Sequence, residues 1–239
     1  MKIDNANDYN HMSELAATLI IETIASKPNS LLCLATGETP LKTYHNIYDK
    51  YVLSSNSFRD LRILKLDEWC DMSMTNEATC ERYLREHVVK PLNIDESRYI
   101  GFRGDVSNIE NECSKIETYL DANGPIDLTI LGLGANGHIG LIEPDGKLLR
   151  RAHKSKLTGS TKQHAMLLSS NISPSYGITL GIADIFNSKK IMLLVTGKNK
   201  NKIYKQLMSG DISTRLPASL LWLHPNVTMI VDKSSIKDF

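Results

Sequence analysis

The sequence predicts a doubly wound α/β fold, in which a mostly parallel sheet is flanked by helices in a Rossmann-like arrangement. Short apolar, β-branched runs have the length of buried strands, and segments with apolar residues at helical spacing separate them. Strands that alternate with helices pair in parallel, because each helical crossover returns the chain to the end of the sheet at which the preceding strand began. The 239 residues suffice for one large α/β domain, which we expect to span residues 1–239.

Each predicted element follows from its local pattern. Apolar side chains at helical spacing predict a helix over residues 10–26, and Leu31 to Ala35 form a short apolar strand. Thr39 is expected to cap the next helix, with Pro40 at its first position. The other predicted strands are Leu61 to Leu66, Ile126 to Leu133, Ile191 to Val195 and Val227 to Val231, the last of which is expected to close the sheet. The other predicted helices cover residues 76–90, 107–121 and 198–209.

Composition and cysteine spacing narrow the class of protein. The net charge of +1 gives no reason to expect nucleic acid or an anionic membrane as a partner. No apolar stretch approaches the ~18 residues of a membrane helix, and the N-terminus lacks the apolar region of a signal peptide. The four cysteines form no Cys-x-x-Cys pair, so neither a zinc site nor a disulfide framework is expected. We therefore expect a cytoplasmic protein without a bound metal.

Residues 128–144 carry the strongest functional signal. An apolar strand ends there in a glycine-rich turn that supplies Asn136, Gly137 and His138, and Glu143 follows. Ligands of open α/β sheets bind in the crevice at the carboxyl ends of the strands. A histidine and a carboxylate at that place can transfer protons near neutral pH. The alternative is a tight turn with a hydrogen-bonded structural histidine.

Three further strand ends carry polar turns that would converge on the same crevice. The turn at 36–39 offers two hydroxyl groups, a glycine and the free amides of a helix N-terminus, which suit a phosphate, although Glu38 would repel one unless it points away. Asp67 and Glu68 follow another strand; one is expected to act as a base while the other is solvated or caps a helix, and a surface acidic pair is the alternative. Lys200 is a candidate counter-charge for the phosphate, or else a solvated lysine.

A basic stretch follows the central motif. Residues 146–183 contain six Lys or Arg and no Asp or Glu. Such a charge block is most often a solvated face. In an enzyme that acts on a phosphorylated sugar it would also suit a mobile lid that attracts an anion, and we expect this lid around residues 147–172.

Five segments together resemble the amino-sugar-phosphate deaminase/isomerase family. They are Leu-Ala-Thr-Gly-Glu-Thr-Pro at 34–40, Lys-Leu-Asp-Glu-Trp at 65–69, Gly-Leu-Gly-Ala-Asn-Gly-His-Ile-Gly-Leu-Ile-Glu-Pro at 132–144, Leu-Val-Thr-Gly-Lys-Asn-Lys at 194–200 and Pro-Ala-Ser-Leu-Leu-Trp-Leu-His-Pro at 217–225. The wider similarity extends to 6-phosphogluconolactonases, which share the fold and a Gly-x-Gly-x-Asp-Gly-His signature. This chain resembles the galactosamine-6-phosphate branch more than the glucosamine-6-phosphate branch in three motifs, which are Leu-Asp-Glu-Trp, Asn-Gly-His-x-Gly-Leu and Ser-x-Leu-Trp-Leu-His.

The resemblance implies a reversible conversion, without a cofactor, of a 2-amino-2-deoxyhexose 6-phosphate to a ketose 6-phosphate and ammonia. By motif position, Asp67 matches the base that carries a proton between C1 and C2. His138 matches the ring-opening histidine, and Glu143 the carboxylate that orients it. The substrate- and phosphate-binding positions are Thr36, Gly37, Glu38, Thr39, Gly137, His164 and Lys200. The number of subunits stays open, a homo-oligomer included.

Three positions depart from the family pattern. Asn136, which we count among the catalytic positions, stands where glucosamine enzymes have an aspartate. Glu38 stands where small residues are usual, and His164 falls where the family has a lid arginine. A histidine binds phosphate more weakly than an arginine does, and its binding depends on pH. No residues of an allosteric N-acetylglucosamine 6-phosphate site are evident near 146–155, so we expect no activation by that compound.

Two other functions stay open beside the leading hypothesis of a deaminase that favours galactosamine 6-phosphate. A 6-phosphogluconolactonase would use His138 as a base for water, but Ile142-Glu143-Pro144 replaces the Leu-Phe-Pro common in lactonases. A regulator that binds a sugar phosphate without turnover is the second alternative, because Asn136, Glu38 and His164 depart from the pattern. No DNA-binding appendage fits within the 239 residues.

Overall fold

The computed structural model describes residues 1–54, 58–168, 170 and 172–237. Its strands are β1 (Lys2–Ala6), β2 (Leu31–Leu34), β3 (Arg62–Lys65), β4 (Asp67–Trp69), β5 (Tyr99–Ile100), β6 (Leu128–Gly132), β7 (His153–Lys156), β8 (Tyr176–Thr179), β9 (Ile191–Val195) and β10 (Val227–Asp232). Its α-helices are α1 (Tyr9–Ser26), α2 (Glu38–Ser54), α3 (Cys80–Leu84), α4 (Ile109–Asn123), α5 (Ala165–Leu168), α6 (Ile182–Phe186) and α7 (Asn201–Met208). A π-helix, Arg85–Val89, continues α3, and 3₁₀ turns cover Glu96–Arg98, Thr161–Gln163, Lys198–Lys200 and Pro217–Leu223.

A parallel sheet forms the centre of the fold. Its strands lie in the order β1, β10, β9, β6, β2, β3, β5, and every neighbouring pair is parallel. Every residue of β2 and β9 is buried, as expected for strands covered on both faces. The predicted mostly parallel α/β sheet is therefore confirmed.

Helices cover both faces of this sheet because successive strand residues point to opposite sides. In β2, Leu32 and Leu34 pack into the core that α1 and α2 cover. Leu31 and Cys33 pack into the opposite core, which α4, α6 and α7 complete. The sheet is therefore doubly wound, as predicted.

A second, antiparallel sheet stands at the carboxyl ends of the parallel strands, and the sequence pattern did not predict it. Its strands lie in the order β4, β8, β7, with Asp67 opposite Thr179. Leu66 lies between the two sheets: its backbone N–H donates to Leu34 O at 3.2 Å, and its carbonyl accepts from Leu180 N at 3.1 Å. The chain thus passes directly from β3 in the parallel sheet to β4 in the antiparallel one.

Some predicted boundaries were wrong for physical reasons. The strand β10 does not close the sheet, because β1 pairs outside it; Lys-Ile-Asp-Asn-Ala in β1 carries little β propensity. The helix predicted over 76–90 begins at Cys80, where Thr79 caps it by accepting a hydrogen bond from Arg82 N. The helix predicted to follow a Thr39 cap begins at Glu38 instead, after Gly37 with φ of +99°. The basic helix begins as a 3₁₀ turn and becomes α-helical at Asn201.

The stretch predicted as a lid contains β7, a 3₁₀ turn and α5, and its residues 169 and 171 lie outside the described residues. One of its cations is not a solvated charge: Arg151 forms ion pairs with Asp121 at 2.9 Å and with the buried Asp184 at 3.0 Å. Within the part of the chain that the structure describes, none of the helices is both long enough and apolar enough to cross a membrane.

Candidate active site

A cavity of about 90 Å³ lies at the carboxyl ends of β2, β3 and β6. The strand β4 and the segment around the 3₁₀ turn at Thr161–Gln163 complete its walls. The polar side chains that line it include those of Thr36, Asp67, His138, Thr161 and His164. The turns at 36–39, 67–69 and 134–138 therefore converge, as the parallel sheet predicted.

The turn at 36–39 follows β2 and leads directly into α2. Gly37 adopts φ of +99°, and a Cβ there would lie 2.9 Å from His164 Nε2, so a side chain has neither a favourable backbone conformation nor room. The Tyr83 hydroxyl donates to Gly37 O at 2.7 Å and fixes the turn. Thr36 and Thr39 line the cavity, whereas Glu38 is exposed at its rim. The turn thus presents hydroxyl groups and the start of a helix to the cavity.

Asp67 is the carboxylate that the antiparallel sheet places in the cavity. Its side chain is buried, and Cys80 Sγ lies 3.8 Å from Oδ1. Thr36 Oγ1 in turn donates to Cys80 Sγ at 3.3 Å. Burial raises the pKa of Asp67 from 3.8 to about 7, and repulsion from Glu68 adds to the effect while Lys65 opposes it. A carboxyl group of this pKa can both accept and donate a proton at neutral pH.

Glu68 has a different role from its neighbour, and the alternative of a surface acidic pair was wrong. The Glu68 carboxylate is fully buried and accepts hydrogen bonds from Cys80 N at 2.9 Å and from Glu81 N at 2.8 Å, at the start of α3. The fully buried Lys65 ammonium lies 2.7 Å from Glu68 Oε2 and 2.6 Å from Glu81 Oε2. Burial disfavours the charge on Lys65, but the two carboxylates raise its pKa. Glu68 therefore caps a helix and neutralises a buried cation.

His138 also lines the cavity, with its ring against Gly134. A Cβ at Gly134 would lie 2.4 Å from His138 Cδ2 and 2.6 Å from Nε2, so only glycine lets the ring take this place. The other ring nitrogen, Nδ1, lies 3.2 Å from Thr161 Oγ1 and 3.8 Å from Glu143 Oε2. Burial lowers the pKa of His138 to about 4, although the Glu143 carboxylate acts in the opposite direction. The imidazole is therefore neutral near pH 7.

Asn136 and Glu143 stand behind His138. The Asn136 amide nitrogen donates to Glu143 Oε2 at 2.9 Å, and its Oδ1 accepts from His138 N at 3.2 Å. An aspartate at 136 would bring a second carboxylate to within hydrogen-bond distance of Glu143, where two negative charges repel each other. The amide instead ties Glu143 to the backbone of the histidine.

Two cationic candidates differ in how they approach the cavity. His164 lines it, with its ring centroid 5.7 Å from that of Trp69. Lys200 is half-buried, its ammonium group has no ion pair or hydrogen bond to a described residue, and burial lowers its pKa. The charge of Lys200 nevertheless lowers the pKa of both His138 and His164, so it acts on the same space.

Three predicted binding residues, Gly37, Gly137 and Lys200, are not among the residues that line the cavity, and two neighbours of the site were not predicted. Gly137, with φ of +88°, packs against Leu216, and its carbonyl accepts from Ala218 N at 3.0 Å. Thr158 and Thr161 contact Glu143 and His138. Only their place in the predicted lid could have pointed to them, because threonines in a basic stretch carry no motif. Among the described residues, no group of three or more His, Cys, Asp or Glu is arranged to hold a metal ion.

The sequence is similar to known proteins over nearly its whole length. The profile of a family described as glucosamine-6-phosphate isomerases/6-phosphogluconolactonase matches residues 4–230. AgaI of Escherichia coli (strain K12), provisionally named a deaminase, is 40% identical over 230 residues, which cover 96% of this chain and 91% of AgaI. The glucosamine-6-phosphate deaminase of Clostridium acetobutylicum is 37% identical over 239 residues, with 99% of each chain covered.

Solved structures extend this similarity to three dimensions. A monomeric glucosamine-6-phosphate deaminase of the NagB superfamily matches with a TM-score of 0.94 at 33% identity, over 98% of both chains. The 6-phosphogluconolactonase from Leishmania guyanensis matches with a TM-score of 0.78 at 19% identity, over 98% of this chain and 97% of that one. The second likeness concerns the fold alone.

Proposed function

This chain belongs to the family of glucosamine-6-phosphate isomerases and 6-phosphogluconolactonases, and we propose that it is an amino-sugar-phosphate deaminase. It converts a 2-amino-2-deoxyhexose 6-phosphate and water to a ketose 6-phosphate and ammonia. One observation carries the proposal: a single cavity joins Asp67, with a pKa of about 7, to His138 and to the phosphate-type turn at 36–39. Neither acid–base group has its ordinary pKa, which is typical of groups that transfer protons.

In this proposal His138 opens the sugar ring. Its Nε2 makes no hydrogen bond to a described residue, and the ring is neutral at pH 7, so Nε2 can accept the proton of the anomeric hydroxyl group. The same nitrogen then donates that proton to the ring oxygen as the C1–O5 bond breaks. The product is the open-chain aldehyde with its amino group still on C2.

Asp67 then moves a proton along the open chain. The carboxylate removes the proton from C2 while the ammonium group on C2 passes a proton to O1, which gives a neutral enolamine. The resulting carboxylic acid then returns its proton to C1, and the C2–nitrogen bond becomes a protonated imine. Water adds to C2, ammonia leaves, and the ketose remains. With a pKa of about 7, the carboxyl group is populated in both of the protonation states that these two steps use.

The phosphate end of the substrate would lie against the turn at 36–39. The amides at the start of α2 attract an anion, and Thr36 and Thr39 offer hydroxyl groups. Lys200, which has no counter-ion among the described residues, would supply the balancing charge, and His164 would add a weaker contact. We also propose that residues 147–172 act as a lid over the phosphate end of the cavity. Residues 1–239 form one domain in this proposal.

Galactosamine 6-phosphate is the substrate we favour over glucosamine 6-phosphate. The support is the wording of the motifs at 66–69, 136–141 and 219–224. Of these motif residues, Asn136 is the one that acts on the proposed acid–base groups, because its amide orients Glu143 next to the ring-opening histidine. The two sugars differ only at C4, so discrimination must come from contacts on that face of the ring.

The proposal is tested by following ammonia release from galactosamine 6-phosphate and glucosamine 6-phosphate side by side. The wild-type protein should turn over at least one of them, and the ratio of kcat/KM identifies the preferred sugar. Asp67→Asn should abolish turnover, whereas Asp49→Asn, which neutralises an exposed carboxylate on α2, should leave it unchanged.

Absence of ammonia from both sugars would overturn the deaminase proposal, provided that the protein is folded and still binds the phosphosugar. Hydrolysis of 6-phosphogluconolactone by the same preparation would then assign the lactonase function. Tight binding of a sugar phosphate with no turnover of any of the three compounds would assign the regulator.

A further inference from the structure

We infer that Thr161 is a positioning residue for His138, and that Thr158 and Thr161 connect the Glu143 carboxylate to the imidazole through a chain of hydroxyl groups. The consequence for turnover rests on the proposed deaminase function. The hydrogen-bond geometry does not, so the two can be tested separately.

The first step is that Glu143 is already occupied by other donors. Its Oε2 accepts from Asn136 Nδ2 at 2.9 Å and from Thr158 Oγ1 at 3.1 Å, and its Oε1 accepts from Thr158 N at 3.1 Å. The distance from Oε2 to His138 Nδ1 is 3.8 Å, which is beyond a hydrogen bond. Glu143 therefore does not hold the imidazole directly.

The second step is that a hydroxyl group lies where the carboxylate does not reach. Thr161 Oγ1 is 3.2 Å from His138 Nδ1 and 3.2 Å from Thr158 Oγ1. A carboxylate only accepts, so the Thr158 hydroxyl must give its hydrogen to Glu143. The Thr158 oxygen has two lone pairs to accept with. Asn136 Nδ2 donates to one at 3.0 Å, and the Thr161 hydroxyl, at 3.2 Å, donates to the other, since the Thr161 amide is more distant at 3.4 Å.

The third step assigns the proton on the imidazole. With the Thr161 hydrogen directed to Thr158, the Thr161 oxygen accepts from His138, which requires the hydrogen of the neutral ring to be on Nδ1. The lone pair of the ring is then on Nε2, toward Gly134 and the cavity. The charged groups that act on the ring are Glu143, Lys200 and His164. With the hydrogen on Nε2 instead, the lone pair would be on Nδ1, directed away from the cavity, and the ring could not act as a base there.

The chain of hydroxyl groups also ties His138 to the phosphate end of the cavity. Thr161 begins a 3₁₀ turn that ends at Gln163, and His164 follows directly. The His164 ring lies over Gly37 in the turn at 36–39, where a Cβ would approach Nε2 to 2.9 Å. A phosphate that contacts His164 thus fixes the same short turn that carries the partner of Nδ1.

The test compares Thr161→Val with Thr161→Ser. Valine keeps the branched shape without the hydroxyl group, and serine keeps the hydroxyl group. Thr129→Val is the matched control, because Thr129 is fully buried, its hydroxyl lies 2.7 Å from Ser188 Oγ, and neither residue lines the cavity. The readouts are the ¹⁵N shifts of the His138 ring, which report the tautomer without any turnover, and the separate values of kcat and KM for ammonia release.

The wild-type ring should carry its hydrogen on Nδ1. Thr161→Val should lose this single tautomer and lower kcat by about 10- to 100-fold with little change in KM, which is part of the roughly 10²–10⁴-fold that general acid–base catalysis contributes. Thr161→Ser should keep the wild-type tautomer and a kcat close to that of the wild type. Thr129→Val should lower the unfolding temperature without affecting the tautomer or kcat. A wild-type ring protonated on Nε2 would refute the inference, and so would a Thr161→Val variant that keeps the wild-type tautomer and kcat. An inactive wild-type protein with hydrogen on Nδ1 would refute the deaminase proposal alone.

Discussion

Replacement of Asp67 by asparagine should make the protein more stable at neutral and basic pH while it abolishes deaminase activity. The Asp67 carboxyl group is 8% exposed, and its pKa is about 7 instead of the ordinary 3.8. The native state therefore holds a proton that the unfolded chain releases at lower pH. Asparagine has nearly the same shape and carries no charge at any pH.

The magnitude follows from the pKa difference. About three units correspond to roughly 4 kcal/mol, since one unit is about 1.4 kcal/mol, and this is an upper bound. Below about pH 4 the group is protonated in both states and contributes nothing. Between about pH 4 and pH 7 only the unfolded chain loses its proton, so the free energy of unfolding falls as pH rises, and the loss is complete above about pH 7. The advantage of Asp67→Asn should thus grow from near zero to a few kcal/mol.

Urea unfolding of wild type and variant at about pH 4.5, 6 and 8 measures this directly, because the midpoint and slope give the free energy of unfolding at each pH. Asp49→Asn serves as the control, because this exposed carboxylate should produce no advantage that grows with pH. The reasoning fails if the difference between Asp67→Asn and wild type is constant across this range, or if the variant is the less stable protein at about pH 8.

The site makes three further predictions. The kcat/KM for ammonia release should rise with pH to a plateau above about pH 7, where Asp67 becomes ionised; a rise centred near pH 4, the pKa of His138, would contradict this assignment. Lys65→Met should lower the free energy of unfolding by about 3–5 kcal/mol in urea titrations, because it leaves the buried Glu68 carboxylate without a cation, whereas Glu81 keeps its ion pair with Arg85; an unchanged midpoint would show that this buried ion pair does not matter. Lys200→Gln should raise KM for the sugar phosphate about 10-fold with a smaller effect on kcat, and the opposite pattern in steady-state kinetics would place the lysine nearer to the reacting carbons.

The parallel sheet could be predicted because its strands are buried on both faces and read as short apolar runs. The antiparallel sheet could not. Its strand β4 is Asp-Glu-Trp, whose acidic residues have poor β propensity, and it pairs with a distant segment, β8. A pattern that depends on local alternation contains no information about such a partner. The strand β1 was missed for the same reason: it contains Asp and Asn, which have poor β propensity, and its partner, β10, is distant in the sequence.

The candidate acid–base residues could be predicted from their positions after strands, but their surroundings could not. Asp67 and His138 follow strands, so a parallel sheet alone places them in one crevice. The burial of Glu68 depends on Lys65 and on the start of α3, which only the folded chain brings together. In the same way, Thr161 meets His138 only after the chain has passed through β7, and neither residue carries a local signal of the other.

The position of Asp67 at the join of two sheets has a consequence for how the sugar must behave. Leu66 is bonded to the parallel sheet on one side and to the chain after β8 on the other, and Asp67 is already paired in β4. The backbone that carries the carboxyl group is thus anchored in two directions and cannot follow a proton from one carbon to the next. The sugar must therefore move instead. Rotation of the open chain has to bring C2 and then C1 next to the stationary carboxyl oxygen of Asp67. An open sugar is flexible enough to do so, whereas a closed ring is not. The fixed carboxylate therefore demands the same order as the chemistry, in which the ring opens first because the C2 proton becomes acidic only beside a free C1 aldehyde.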